Sequence, residues 1–195
     1  MAHAEHVKYI PLTMVRDHLD QSPSFVCPAG YAIRTFRPSD AQSWARVEAL
    51  AGEFASEDEA LREFQEEFGP RSRELEDRCF LLEESQGAVI GTAMAWDGDL
   101  AGEVRGRVHW VGIVPAYQGR GLAKPLLSTV MHRLARDHRK AFLTTQTTSY
   151  RAVNLYLNFG FMPYQTDASD VEGWRLMEEI LQRPILPIIC LSDGL

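Results

Sequence analysis

A short glycine-rich stretch carries the clearest chemistry in this 195-residue chain. The letters QGRG at 118–121 follow an apolar run and a proline, and a helical pattern of apolar residues begins at Leu122. A helix N-terminus has unpaired N–H groups and a partial positive charge, and glycines let a ligand approach the backbone closely. Arg120 and Lys124 add two cations at the same place. The stretch therefore predicts an anion site, most naturally for a phosphate or pyrophosphate.

A tight turn before a core helix is the alternative interpretation of this stretch. Two other phosphate-binding patterns do not fit its spacing. The sequence has no G-x-x-x-x-G-K-[ST], so a P-loop is not indicated, and no G-x-G-x-x-G, so a Rossmann dinucleotide site is not indicated either.

The stretch resembles the acyl-CoA loop of the GCN5-related N-acetyltransferase (GNAT) superfamily, whose pattern is [Gln/Arg]-x-x-Gly-x-[Gly/Ala]. Gln118, Gly121 and Ala123 fill those positions. A second block, SYRAVNLYLNFGF at 149–161, resembles the family's N-x-x-A-x-x-x-Y-x-x-x-G-F, although Ser149 stands where asparagine is usual. The matching residues of this block are Ala152, Tyr156, Gly160 and Phe161.

The resemblance, which spans residues 30–180, implies an α/β (α+β) fold and a cofactor. The fold would be a mixed, mostly antiparallel central sheet flanked by helices, with its fourth and fifth strands splayed around acetyl-CoA. The pyrophosphate would lie on the loop and the pantetheine arm would pair with the strand before it, like an added strand. The implied cofactor-binding residues are Ile113, Val114, Gln118, Gly119, Arg120, Gly121, Leu122, Ala123, Lys124 and Ser149.

The implied reaction is direct transfer of the acetyl group to a primary amine through a tetrahedral intermediate. An alkyl amine has a pKa near 10, so it needs a base before it attacks. Tyr156 occupies the family's position for the proton donor to the leaving thiolate, and a core aromatic is the alternative role. On the strand before the loop, alternation puts Arg107, His109 and Val111 on one face. His109 is therefore the candidate base, with a structural histidine or a water chain as alternatives.

The acceptor is less defined by the sequence than the cofactor. Acidic residues cluster around the start of the second predicted helix. They would attract a cationic amine; the alternative interpretation is that they form a solubilising surface. These residues are Glu53, Glu57, Asp58 and Glu59. We expect a small-molecule N-acetyltransferase. A protein or peptide N-acetyltransferase and an acyl-CoA-binding sensor without turnover are the alternatives.

The composition indicates which partners and which cellular compartment to expect. The net charge of -7 argues against a nucleic-acid partner. Cys27, Cys79 and Cys190 lie far apart, which predicts neither a disulfide framework nor a metal site and fits a reducing compartment. The N-terminus lacks a signal-peptide pattern, and the apolar run PILPIICL is shorter than the roughly 20 residues of a spanning helix. We expect a cytoplasmic protein without a membrane partner.

The elements that position these residues follow in the order strand, two helices, three strands, helix, strand, helix and a last element that is either strand or helix. Residues 1–28 are predicted to be an arm with a short helix in MVRDHLD, 29–183 the acetyltransferase domain, and 184–195 an apolar tail. The tail is expected to pack on the domain or on a second copy, as a homodimer contact.

Local signals predict several boundaries in more detail. The first helix is expected to bury one face, and Ser56 to cap the second helix. The residues of that first face are Trp44, Val47, Leu50 and Ala51. Strands are predicted in RCFLLEE and AVIGTAMAW, with a turn region over 97–106 after the second of them.

Overall fold

A computed structural model gives the structure of the chain and describes residues 7–165, 168–185 and 189–190. The strands are β1 Pro11–Arg16, β2 Tyr31–Thr35, β3 Cys79–Glu84, β4 Val89–Leu100, β5 Glu103–Ile113, β6 Ala141–Gln146, β7 Met162–Gln165 and β8 Ile189–Cys190. The helices are α1 Ala41–Ala51, α2 Glu57–Phe68, α3 Ser72–Arg78, α4 Ala123–Asp137, α5 Tyr150–Asn158 and α6 Ala168–Leu181. The fold is a mixed, mostly antiparallel sheet flanked by helices, so the predicted fold class is confirmed.

The chain divides into two compact units, and strands β4 and β5 each contribute to both. The first unit contains residues 7–22, 97–107 and the described residues from 138 onward. The second unit contains residues 23–96 and 108–137. The glycine loop, α1 and α2 therefore belong to the second unit, whereas Tyr156 and Ser149 belong to the first.

The second unit is built on the antiparallel strands β2, β3 and β4, with β5 beside β4. Helices α1 and α2 supply an aromatic core in which Trp44 lies 4.9 Å from the Phe64 ring, and the Phe64 ring lies 5.2 Å from the Phe68 ring. The predicted cap of α2 is confirmed, because Ser56 Oγ accepts a hydrogen bond from the Glu59 N–H at 3.2 Å.

The buried face of α1 differs from the predicted one. Trp44 and Val47 are buried, but Leu50 is 46% exposed and Glu48 is fully buried. At about 100° per residue, Glu48 lies about 40° around the helix from Trp44, whereas Leu50 lies about 120° from it. Geometry therefore overrides side-chain type here, and a carboxyl occupies an inward position.

The first unit places β1 between β6 and β7, and both pairings are antiparallel. The predicted short helix in the N-terminal arm is therefore wrong, because Pro11–Arg16 is a strand. Leu12 and Met14 alternate into the core, and Pro11 stands at the first residue of the strand, where a missing N–H is tolerated. The register of β1 is set by two strands that lie far away in the sequence.

The β4–β5 hairpin is longer than predicted. Strand β4 continues to Leu100 and β5 begins at Glu103, so the turn is only Ala101-Gly102 rather than 97–106. Both turn residues have positive φ, 56° and 82°, which suits the two-residue turns that match the twist of a hairpin. In the first unit, the start of β5 pairs in parallel with β6 at Gly106–Ala141 and Arg107–Phe142.

The end of the chain is only partly described. The last predicted element is a helix, α6. Of the tail, Ile189–Cys190 pairs in parallel with β7, and residues 186–188 and 191–195 lie outside the described residues. The predicted domain boundaries and the dimer contact stay predictions.

Candidate active site

The glycine loop is tied to the end of β5 by a side chain. Gln118 Nε2 donates a hydrogen bond to the Ile113 carbonyl at 2.8 Å. A single 3-10 turn over Pro115–Tyr117 carries the chain from β5 to this glutamine. Gln118 therefore sets the path of the loop, which is a physical reason for a long amide side chain at this position.

The two glycines open the loop at the start of α4. Gly119 and Gly121 have φ of +75° and +78°, values that L side chains rarely adopt, and a Cβ at either position would meet no heavy atom within 4 Å. Both glycines are exposed, and Leu122 behind them is buried. The loop thus presents its backbone to open space at a helix N-terminus, which fits a phosphate group.

The two predicted cations of the loop have protein contacts. The Arg120 guanidinium donates to Tyr31 Oη at 3.0 Å and lies 4.9 Å from the centre of the Tyr117 ring. The Lys124 ammonium lies 5.3 Å from the centre of the Phe25 ring. Both cations are thus held at the rim of the loop by aromatic side chains.

Both backbone groups of Val114 make hydrogen bonds within the protein. Its N–H donates to the Ile90 carbonyl at 2.9 Å, and its carbonyl accepts from the Tyr117 N–H at 2.9 Å. The Val114 carbonyl keeps a second lone pair, and pairing of Val114 with the cofactor arm stays a prediction. Neighbouring residues of a strand point their backbone groups to opposite edges, so Ile113 is the one with groups on the other edge, and its carbonyl keeps a second lone pair beside Gln118.

A bulge at Trp110 changes the face pattern of β5. Trp110 has a φ of 45°, which breaks the alternation of an extended strand. As a result, two adjacent side chains reach one carboxylate: His109 Nε2 lies 2.6 Å from Glu67 Oε1, and Trp110 Nε1 donates to Glu67 Oε2 at 2.8 Å. The predicted alternation of His109 and Trp110 is wrong at this point.

His109 is a partly structural residue in this arrangement. Its ring is 9% exposed and lies edge-on to Phe68 at 6.1 Å. The bond to Glu67 orients the imidazole and engages one of its two nitrogens. Its role as a base stays a prediction, and the sequence contained no signal that Glu67 on α2 would be its partner.

Glu48 is the functional candidate that the sequence pattern missed. Its side chain is excluded from solvent, and within the described residues neither carboxyl oxygen has a hydrogen-bond partner. A Cβ on Gly112 of β5 would lie 2.8 Å from Glu48 Oε1, so the glycine makes room for the carboxyl. Burial, and secondarily the charge of Glu53, raise the pKa of Glu48 well above its usual range.

Aromatic rings lie beside this carboxyl. The Trp44 ring is 5.5 Å from the Trp110 ring and 6.2 Å from the Phe54 ring, and the Phe54 and Trp110 rings are 5.1 Å apart. Trp44 is fully buried, whereas Phe54 and Trp110 are half-buried. Phe54 and Trp110 are therefore the members of this cluster that reach the surface.

The acidic region at the start of α2 is exposed and makes local bonds. Glu59 accepts from the Ala55 N–H at 3.0 Å, and Glu57 accepts from Gln42 Nε2 at 3.2 Å. Carboxylates at this position also suit the helix dipole. These contacts account for Glu57 and Glu59 as helix-starting residues.

The first unit holds the other two predicted site residues. Tyr156 on α5 is 6% exposed, and its ring lies 6.2 Å from Phe161. Ser149 stands at the N-cap of α5, and its Oγ accepts from Gln146 Nε2 at 3.0 Å. The serine that replaces the family's asparagine therefore already has one protein partner.

Comparison with known proteins identifies the class that this fold and loop define. A model of the Acetyltransferase (GNAT) family matches residues 41–161, more than half of the chain. The match includes the glycine loop and the block around Tyr156. The chain belongs to the GNAT acetyltransferase family.

Individual relatives agree with this assignment. A mycothiol acetyltransferase of Streptomyces griseus is 33% identical over 146 residues, which cover 73% of this chain and 46% of the relative. One from Geodermatophilus obscurus is 31% identical over 169 residues, covering 80% of this chain and 51% of the relative. The chain spans about half the length of the curated relatives that it matches.

A solved structure supports the same fold. The GCN5-related N-acetyltransferase from Sphaerobacter thermophilus has a TM-score of 0.59 and 26% sequence identity, covering 78% of this chain and 48% of that one.

Across the described part of the chain, no helix has the length and apolar character needed to cross a membrane. Residues 7–165, 168–185 and 189–190 contain no group of three or more acidic, histidine or cysteine side chains arranged for a metal ion.

Proposed function

We propose that this chain transfers the acetyl group of acetyl-CoA to the primary amine of a small molecule. The observation that carries the proposal is the open loop at Gly119 and Gly121, which begins an apolar helix in a GNAT fold. The relatives named mycothiol acetyltransferase support a small-molecule acceptor.

Acetyl-CoA supplies the acetyl group as a thioester. The backbone at Gly119, Gly121 and Ala123 would hold its pyrophosphate, because N–H groups at a helix N-terminus attract anions. Ile113 on β5 would pair with the pantetheine arm. Arg120 and Lys124, which lie at the rim, would add positive charge, and Leu122 would anchor the loop in the core.

Tyr156 is proposed to give a proton to the leaving thiolate. The assignment follows from its position in the family's second block. A phenol has a pKa of about 10 and a thiol about 8.5, so the transfer is unfavourable in water and depends on positioning. Ser149 would contact the pantetheine arm in place of the family's asparagine, since a hydroxyl is both donor and acceptor.

Cofactor binding can be tested with a matched pair of glycine variants. Gly121 and Gly102 both have positive φ, and a Cβ at either meets nothing within 4 Å. Alanine therefore introduces similar backbone strain at both, but only Gly121→Ala places a methyl group in the loop. We expect Gly121→Ala to weaken CoA binding by at least about tenfold, or 1.4 kcal/mol, and Gly102→Ala to bind as the wild type does. Equal affinities in both variants would contradict the assignment of the loop.

A second experiment tests the role of Tyr156 in turnover. Tyr156→Phe is expected to keep CoA affinity and to lower kcat by about 10²–10⁴-fold, the usual contribution of a positioned proton donor. CoA release from acetyl-CoA with an amine present measures kcat, and titration calorimetry with CoA measures the affinity. If the wild type binds acetyl-CoA but acetylates no amine or peptide, the chain is a sensor, and the proposal is refuted.

A further inference from the structure

Within the described residues, two buried polar groups on α1 have no hydrogen-bond partner, and their residues are one helical turn apart. Trp44 Nε1 is a donor, and the Glu48 carboxyl oxygens can accept. Residues i and i+4 lie side by side on a helix, so both residues are on the same face of α1. A buried polar group without a partner costs about 1–3 kcal/mol, and a ligand that supplies both partners removes that cost.

The carboxyl lies against the strand that precedes the cofactor loop. The place where a Cβ of Gly112 would stand is 2.8 Å from Glu48 Oε1 and 3.2 Å from Glu48 Oε2. Gly112 is adjacent to Ile113, whose backbone is proposed to pair with the pantetheine arm. Glu48 is thus one residue away from the backbone that would hold the acyl donor.

The surroundings of Glu48 raise its affinity for a proton. Burial raises its pKa well above the usual range for a carboxyl, and the negative charge of Glu53 in the turn after α1 raises it further. On β3, burial raises the pKa of the Cys79 thiol, and the charge of Glu48 adds to this rise. A carboxylate whose pKa is raised is a stronger base than an exposed one.

We propose that Glu48 binds the amino group of the acceptor and takes its proton, and that the acceptor is a small primary amine that also carries a hydrogen-bond acceptor for the Trp44 indole N–H. This inference rests on the proposed function, because it names the substrate class of the same site. It assigns to Glu48 the role that the sequence suggested for His109, whose ring is bonded to Glu67.

Glu48 and Tyr156 together account for the proton transfers of the proposed reaction. An ammonium group that enters displaces the proton of the Glu48 carboxyl to solvent and forms an ion pair with the carboxylate. The ammonium gives one proton to the Glu48 carboxylate, so an N–H bond breaks and an O–H bond forms, and the freed nitrogen electron pair forms the C–N bond of the tetrahedral intermediate. As the intermediate collapses, the C–S bond breaks, and the sulfur leaves with its electron pair and takes a proton, for which Tyr156 is the proposed source. The nitrogen loses its second proton, which passes through solvent and restores the Tyr156 phenol, so the products are the amide and the CoA thiol.

Two members of the aromatic cluster beside Trp44 reach the surface. Phe54 and Trp110 are half-buried and their rings are 5.1 Å apart, and both are in contact with Trp44 one turn before Glu48. Aromatic faces attract cations. Under this proposal, the acceptor approaches Glu48 past the Phe54–Trp110 pair.

The kinetic test compares Glu48→Gln, Glu48→Asp and His109→Gln with Glu63→Gln, a control that changes an exposed carboxyl of α2 in the same way. The substrates are those of a broad amine panel that the wild type acetylates, measured as kcat and KM from acid to alkaline pH. We expect Glu48→Gln to lower kcat by about 10²–10⁴-fold and to abolish the rise of the rate with pH that accompanies ionisation of Glu48. Glu48→Asp keeps this rise, as do His109→Gln and Glu63→Gln.

Amine binding without acetyl-CoA gives a readout that is independent of turnover. In calorimetry, the wild type is expected to bind the best amine with release of a proton to the buffer. Glu48→Gln is expected to weaken this binding by at least about tenfold and to abolish proton release, while CoA affinity stays unchanged.

Each contrary outcome has a distinct meaning. A pH-dependent rise that persists in Glu48→Gln and disappears in His109→Gln overturns this inference and leaves the proposed function intact. If Glu48→Gln no longer binds CoA, that variant cannot test the base, and the pH profile of Glu48→Asp is used instead. Loss of the rise of the rate with pH in Glu48→Asp overturns the inference. Wild-type turnover of no amine in the panel refutes the proposed function, and this inference with it.

Discussion

Replacing Glu48 by methionine is expected to stabilise the protein while it abolishes amine binding. The substitution keeps the length and the helix propensity of the side chain and removes two buried oxygens that have no hydrogen-bond partner within the described residues. An unsatisfied buried group costs about 1–3 kcal/mol. At about 2–4 °C per kcal/mol for a chain of this size, Tm should rise by about 2–12 °C. Residues that serve activity commonly lower the stability of the folded protein.

The pH dependence of this gain has a definite sign. Because the folded-state pKa of Glu48 is raised above the ordinary value of 4.5, the folded protein binds a proton more tightly than the unfolded chain does. The wild type therefore keeps the associated stability below pH 4.5 and loses it as the pH rises through the folded-state pKa. Glu48→Met lacks this loss, so its advantage should grow with pH over that window.

Thermal unfolding followed by circular dichroism at several pH values measures both effects. Glu63→Met, which changes an exposed carboxyl of α2, is the control and should alter Tm little, because surface substitutions are usually within about 0.5 kcal/mol. A lower Tm for Glu48→Met at every pH, or an advantage that does not change with pH, would refute the view that Glu48 is an unpartnered buried carboxyl.

Three further substitutions test the packing that positions the site, each by its free energy of unfolding in denaturant. Glu67→Ala should lose about 1–3 kcal/mol, because the buried His109 loses a charged partner, and an unchanged stability would contradict this contact. Gly173→Leu should cost about 1–3 kcal/mol or more by overpacking, since even a Cβ at Gly173 would lie 2.7 Å from Leu12 Cδ2 and 3.1 Å from Ile10 Cγ2; a gain in stability would place α6 farther from β1. Thr147→Val should lose about 1–3 kcal/mol, because Thr147 is buried and its Oγ1 accepts from a backbone N–H at 2.9 Å, whereas a gain in stability would argue against that bond.

Local signals in the sequence predicted the elements that carry the cofactor loop. The end of an apolar strand, two glycines and a continuous apolar stripe indicated a helix that begins just after Gly121, and α4 begins at Ala123. Ser56 similarly indicated the start of α2. These features depend on residues within a few positions of one another, so they can be predicted without knowledge of the fold.

The parts that the sequence did not predict depend on distant residues. Strand β1 depends on pairing with β6 and β7, more than a hundred residues away. The bulge at Trp110 is held by Glu67, 43 residues earlier. Glu48 has the residue type of a surface helix position, and only the angle from Trp44 and the open space at Gly112 bring it inside. Tertiary packing overrode residue type in all three cases.

The most direct test of the central claim is to incubate the protein with acetyl-CoA and a panel of small primary amines, polyamines and peptides. Release of CoA thiol is measured together with the mass of each amine. The account predicts CoA release with at least one small amine, an acetyl group added to that amine, and a large loss of both in Tyr156→Phe. CoA binding without acetylation of any amine, or acetylation of peptides alone, would contradict it.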